Sequence, residues 1–171
     1  MNTTSRFSVF VIASGLLLAP ATAFAGAADK YVKGLVGKWR GGGTVTINDK
    51  GKTVKLRCST QNTLDEAKRT LTMKGRCASS QGTRPLRGKI RYSANGAAIT
   101  SVSLKIAGRG GVSAARLSGN TLTLSSTDKT EAGKSVPTRS VISGGGSRYS
   151  ISLNAKSKGV WEKRGTLSFK R

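Results

Sequence analysis

An all-β fold is predicted, a small antiparallel up-and-down barrel of about eight to ten strands or, alternatively, a β-sandwich, closed by one disulfide. Three observations predict it. Beyond residue 25 the chain is rich in Thr, Ser, Val and Gly, and its apolar residues alternate with polar ones at period two. Glycine- and asparagine-containing turn signals at Asn48–Gly51, Asn95-Gly96, Gly108–Gly111, Gly119-Asn120 and Gly144–Gly146 separate short runs, the pattern of strands in barrels and sandwiches. Apolar residues at helical spacing are almost absent.

The first 25 residues read differently. Phe7 to Ala19 is an almost unbroken apolar run after a short stretch carrying Arg6; Pro20 ends it, and Ala23-Phe24-Ala25 supplies the small residues of a cleavage site. Residues 1–25 are therefore expected to be a cleavable secretory signal, and residues 26–171 a single basic barrel domain. The apolar run is shorter than the ~20 residues of a spanning helix, so no transmembrane span is expected in the processed chain.

Thr44 to Ile47 and Thr53 to Cys58 flank Asn48-Asp49-Lys50-Gly51, which is hairpin turn chemistry. Further strands are expected at Thr70–Cys77, Leu86–Tyr92, Ile99–Ile106, Val112–Leu117, Thr121–Ser125, Thr138–Ser143, Arg148–Asn154 and Thr166–Lys170. Only Asp65–Arg69 and Asp128–Gly133 could hold a turn of helix, and each is short enough to be a loop.

Cys58 and Cys77 are the two cysteines, and in an exported chain an even pair normally closes into a disulfide. Two thiols and no histidine cannot complete a usual zinc set, so no metal and no cofactor are expected. If the two cysteines face each other on neighbouring strands, the connecting loop falls at Leu64 to Thr70. Alternation then puts Val54, Leu56, Cys58, Met73 and Cys77 on one face. Lys55, Arg57, Lys74 and Arg76 fall on the other, and the next strand repeats the pattern, with Gly88, Ile90 and Tyr92 opposed to Arg87, Lys89 and Arg91.

This segregation matters because 30 Lys and Arg stand against 7 Asp and Glu, a formal charge of +23, of which only Arg6 belongs to the first 25 residues. Most carboxylates (Asp49, Asp65, Glu66, Asp128, Glu131) fall in expected turns. The face Lys55, Arg57, Lys74, Arg76, Arg87, Lys89 and Arg91 is the candidate polyanion-binding site, suited to lipopolysaccharide, acidic polysaccharide or another anionic polymer or lipid headgroup. Lys156, Lys158, Lys163, Arg164, Lys170 and Arg171 form a second basic cluster in sequence.

Leu35-Val36-Gly37-Lys38-Trp39, just before the first strand, resembles the opening of calycin-superfamily barrels, which include lipocalins, avidins and small bacterial metalloprotease inhibitors. The resemblance implies that Trp39 packs at one barrel end beneath a basic residue of the last strand, Lys170 or Arg171. It also implies a small-ligand-binding or protease-inhibiting barrel, with residues 27–36 and the end near Trp39 carrying the contact. Trp39 and Trp161 are both expected in core or barrel-end packing.

Other motifs point away from chemistry. Gly41-Gly42-Gly43, Gly108-Arg109-Gly110-Gly111 and Gly144-Gly145-Gly146 lack the helix and following residues of a phosphate-binding loop and are expected as turns, bulges or corners. Without histidine, with paired cysteines and with no carboxylate pair on a strand face, catalysis is not expected. The expectation is a non-enzymatic protein of the periplasm or extracellular space of a Gram-negative bacterium, with nucleic acid an unfavoured partner because aromatic stacking residues are sparse.

Overall fold

The computed structural model describes residues 26–46, 51–106, 109–130 and 133–171. Residues 1–25, the turn residues Asn48, Asp49 and Lys50, the end of the first expected strand at Ile47, and Gly108 and Glu131 lie outside them.

Ten strands form one closed antiparallel barrel in which each pairs with its sequence neighbours and the last pairs with the first. They are β1 (Gly37–Thr46), β2 (Thr53–Asp65), β3 (Thr70–Ser79), β4 (Gly82–Tyr92), β5 (Ile99–Ile106), β6 (Arg109–Ser118), β7 (Thr121–Lys129), β8 (Ser135–Gly145), β9 (Arg148–Ser157) and β10 (Val160–Lys170). Closure removes the exposed edges that a sandwich would leave. Every expected strand is present, most of them longer than anticipated.

The cysteine register is as expected. Cys58 lies opposite Cys77, with Cα atoms 4.0 Å apart and the disulfide formed, and the β2–β3 connection runs through residues 66–69. Alternation along β2 is strict: Val54, Leu56, Cys58, Thr60 and Asn62 are buried, and the residues between them are exposed. Met73, Cys77, Ile90 and Tyr92 are likewise buried, and Lys74, Arg76, Arg87, Lys89 and Arg91 face out.

Residues 66–69 form the expected β2–β3 loop, as turns without a helix. One short segment departs from expectation: Asp128 lies within β7, because the alternation Leu122, Leu124, Ser126, Asp128 carries the strand beyond Ser125. The one helix among the described residues, α1 (Ala27–Gly34), comes where none was anticipated. It buries Ala28, Tyr31, Val32 and the following Leu35, an i, i+3, i+4, i+7 stripe, against the end of the barrel. Its first turn has no side-chain cap. Instead the amides of Ala28 and Asp29 donate to the Gly96 carbonyl at 2.9 and 3.1 Å, so the β4–β5 connection satisfies donors that would otherwise be orphaned.

Glycines 41 and 43 lie inside β1 and not at a turn. A Cβ at either would collide with a carbonyl oxygen of β10, that of Ser168 or Thr166, so bare backbone is what lets the first and last strands close the barrel.

Candidate functional site

The two ends of the barrel are built differently. At the α1 end, Trp39 is buried and its indole N–H donates to the Leu35 carbonyl at 2.9 Å, while Asn62 Nδ2 donates to the same oxygen at 2.8 Å. Tyr149 packs edge-on to Trp39 at 4.8 Å and stacks on Phe169 at 4.7 Å. Tyr31 donates to the Ile142 carbonyl at 3.0 Å, and burial pushes its phenol well above the ordinary value, with Tyr149 adding to the shift. Burial raises the Tyr149 phenol too.

Arg171 lies over the outer side of this plug. Its guanidinium stands 4.7 Å from the centre of the Trp39 ring, and one nitrogen donates to the Val36 and Gly34 carbonyls at 2.6 and 3.3 Å. Of the two basic residues that the calycin resemblance offered, Arg171 fills the role and Lys170 faces outward, paired in register with Arg40 and Arg148. This end is sealed.

The other end opens into a cavity of about 1280 Å³. One wall is apolar, formed by Val45, Val54, Leu56, Leu104 and Ile106; the opposite wall is mixed, with Ser113, Ser126, Asp128, Thr138 and Ser140 standing among Val136, Pro137 and Leu153. The change follows from sequence. Along β7 the inward positions run Leu122, Leu124, Ser126, Asp128, and along β8 Ile142, Ser140, Thr138, Val136, so large core-filling side chains give way to shorter ones, most of them polar, with Val136 opposite Asp128 at the mouth. Ser126 and Thr138 hydroxyls hydrogen-bond across the two strands at 2.9 Å. Around the rim stand Arg84, Lys129, Lys134, Lys156, Lys158 and Arg164.

The C-terminal basic cluster is thus divided: Lys156, Lys158 and Arg164 belong to the mouth, whereas Lys170 and Arg171 stand at the sealed end. Arg164 is paired with Glu162 at 3.0 Å. Trp161 is not in the core as expected. It is 38 % exposed on the outer surface with Arg139 stacked at 4.2 Å, because the β10 bulge between Lys163 and Gly165 shifts the register of the residues before it.

The seven candidate polyanion residues all project from the outer wall of β2, β3 and β4. Register brings in partners that the sequence reading missed. Lys74, Arg87 and Lys105 stand directly opposite one another on β3, β4 and β5, and Arg148, Lys170 and Arg40 do so on β9, β10 and β1. Like charges placed opposite each other oppose folding by ~0.2–1 kcal/mol a pair. The ion pairs among the described residues, Lys33 with Asp29 and Glu66, Lys68 with Asp65 and Arg164 with Glu162, relieve none of these rows. No group of three or more Cys, Asp or Glu stands together as a metal site among the described residues, and none of its helices is long and apolar enough to cross a membrane.

A closed ten-strand antiparallel barrel, sealed at one end and hollow at the other, is the class of protein these features define. No protein-family model matches the chain, and none of the curated proteins matches it in sequence. Among solved structures it is similar to Rv2717c from M. tuberculosis, at 16% identity over 90% of this chain and 98% of that one, with a TM-score of 0.57. A second similar structure is the barrel EF1p2_mFAP2b bound to DFHBI, at 14% identity over 86% of this chain and 98% of that one, with a TM-score of 0.38. The first likeness is one of fold.

Proposed function

We propose that this protein is an exported, non-enzymatic, calycin-like barrel that binds a small amphiphilic molecule in its open half. The two-sided cavity carries this reading. Among the described residues, an apolar wall faces a mixed one whose hydroxyls and Asp128 carboxylate stand among Val136 and Leu153, which favours a largely apolar ligand that hydrogen-bonds on one side. Among the described residues, five rim cations beside Arg164, which is paired with Glu162, favour an anionic group at the ligand's outer end. The disulfide and the apolar run at Phe7 to Ala19 support export, and a Gram-negative periplasm or the medium outside it is the proposed location. Protease inhibition receives less support, since Ala28, Tyr31 and Val32 of α1 and the following Leu35 are buried in sealing the barrel.

The test is titration of the protein with an environment-sensitive anionic amphiphile, 8-anilinonaphthalene-1-sulfonate, beside a cationic dye of similar size. One-to-one binding of the anionic dye is expected, weakened at least about tenfold by Ser140→Trp, which fills the cavity. Binding unchanged in that variant, or equal for both dyes, would refute the reading.

A second reading is favoured by the unrelieved cation rows. Stability conceded to like-charge repulsion is explicable where an anionic polymer or headgroup covers the outer wall at Lys55, Arg57, Lys74, Arg76, Arg87, Lys89 and Arg91. Such binding falls steeply with salt.

A further inference from the structure

Three of the outer cations differ from the rest in their surroundings. Arg40, Ser59 and Arg76 are directly opposite one another on β1, β2 and β3, so Ser59 lies between two arginines. Two positions along β2, Arg57 lies between Gly42 and Ala78. Long cationic and very short side chains thus alternate in both directions across the three strands. The short ones leave a hollow and the arginines edge it: a groove of about 400 Å³ lined by Arg40, Arg57 and Arg76 over Ser59, Ala78 and Thr83.

The dimensions follow from sheet geometry. Arg40 and Arg76 are two strands apart, ~10 Å at the backbone, and Arg57 is displaced ~7 Å along β2. Arginine side chains span such a triangle easily, so three guanidinium forks can meet over one point above Ser59. Among the described residues, no carboxylate lines the groove and none of the three arginines is ion-paired. Gly42 is fixed by packing, because a Cβ there would strike the Leu56 carbonyl oxygen, which keeps the position beside Arg57 bare.

We propose that this groove is a discrete site for a phosphomonoester dianion, with Arg40, Arg57 and Arg76 as bidentate donors and the Ser59 hydroxyl as an additional one. This inference rests on the cationic-wall reading and narrows it to one place and one chemistry. A planar fork pairs two N–H groups with two phosphate oxygens, and three forks match the remaining lone pairs and more than neutralise the charge. The rows at Lys74, Arg87 and Lys105 offer charge without a hollow and would attract anions without fixing one.

The experiment is an amide NMR titration with glucose 1-phosphate, with short-chain phosphatidic acid and with glucose, alongside binding of dextran sulfate. Two variants of equal charge are compared: R40Q/R57Q/R76Q at the groove and R87Q/K89Q/R91Q away from it. Both change only exposed side chains, and circular dichroism checks that each retains the barrel. Phosphate-dependent shifts are expected at Arg40, Arg57, Ser59 and Arg76. The groove variant should weaken phosphate binding at least about tenfold and the distant variant no more than about twofold. Tighter binding of phosphatidic acid than of glucose 1-phosphate would assign a lipid source within the proposal, and the reverse a saccharide.

Shifts spread evenly over the cations, or equal losses in the two variants, would overturn the groove. If dextran sulfate still bound in a salt-dependent way, the cationic wall would stand without it. Absence of both phosphate and dextran sulfate binding would remove the wall and the groove together.

Discussion

Replacing Arg171 with alanine tests the sealed end most directly, because one side chain there closes three contacts. The variant loses the stacking of the guanidinium on Trp39 at 4.7 Å, a charged hydrogen bond to the Val36 carbonyl at 2.6 Å and a longer one to the Gly34 carbonyl at 3.3 Å. An exposed cation over an indole contributes ~0.5–1 kcal/mol. The shorter hydrogen bond adds about 1.5 kcal/mol, and the longer one little. A total near 2 kcal/mol corresponds to a fall in Tm of about 4–8 °C for a chain of this size. The assay is thermal unfolding followed by near-ultraviolet circular dichroism, which reports the packing of Trp39, with Lys170→Ala as the control. Lys170 faces out among like charges, so its removal should leave Tm unchanged or slightly raised. Arg171→Lys should fall between the parent and the alanine variant. A Tm for Arg171→Ala within about 1 °C of the parent would refute the reasoning that the last residue locks the plug.

Two further predictions concern the core. Replacing both Cys58 and Cys77 with alanine opens a link between residues separated by 19 in sequence, which should cost about 3 kcal/mol, and dithiothreitol should lower the parent's Tm to a similar extent. Equal melting of the oxidised and reduced parent would contradict it. Alkaline stability should depend on Tyr31, whose buried phenol resists ionisation. Its pKa is raised above the ordinary 10.0, so its contribution is complete below pH 10 and declines above it, as the unfolded chain ionises first. Tyr31→Phe should flatten the fall in Tm above pH 10, and an unchanged slope would leave that fall to Tyr149 and the lysines.

The sequence reading captured local pattern and missed what depends on closure. The helix α1 was legible in principle: Ala28, Tyr31, Val32 and Leu35 have helical spacing, but the segment is eight residues long and the Gly37-Lys38-Trp39 motif drew it into the approach to β1. Trp161 and Asp128 were misplaced for related reasons. A bulge in β10 redirects the tryptophan, and β7 outlasts its apolar residues because polar side chains can face the open cavity.

The all-β class, a count of eight to ten strands and the faces of β2, β3 and β4 were legible in the sequence, since period-two alternation and turn chemistry act between near neighbours; barrel against sandwich was not. The register of β2 on β3 was legible only on the condition that the two cysteines face each other directly, and they do. Tertiary structure decided everything joining distant positions: β10 against β1, Arg171 over Trp39, the line of Arg148, Lys170 and Arg40, and the end of the barrel that stays hollow. Alternation fixes which way a side chain points relative to its own strand. Which side chains share a wall, a cavity or a groove depends on how far each strand slides past the next as the sheet closes, and that is a property of the whole barrel.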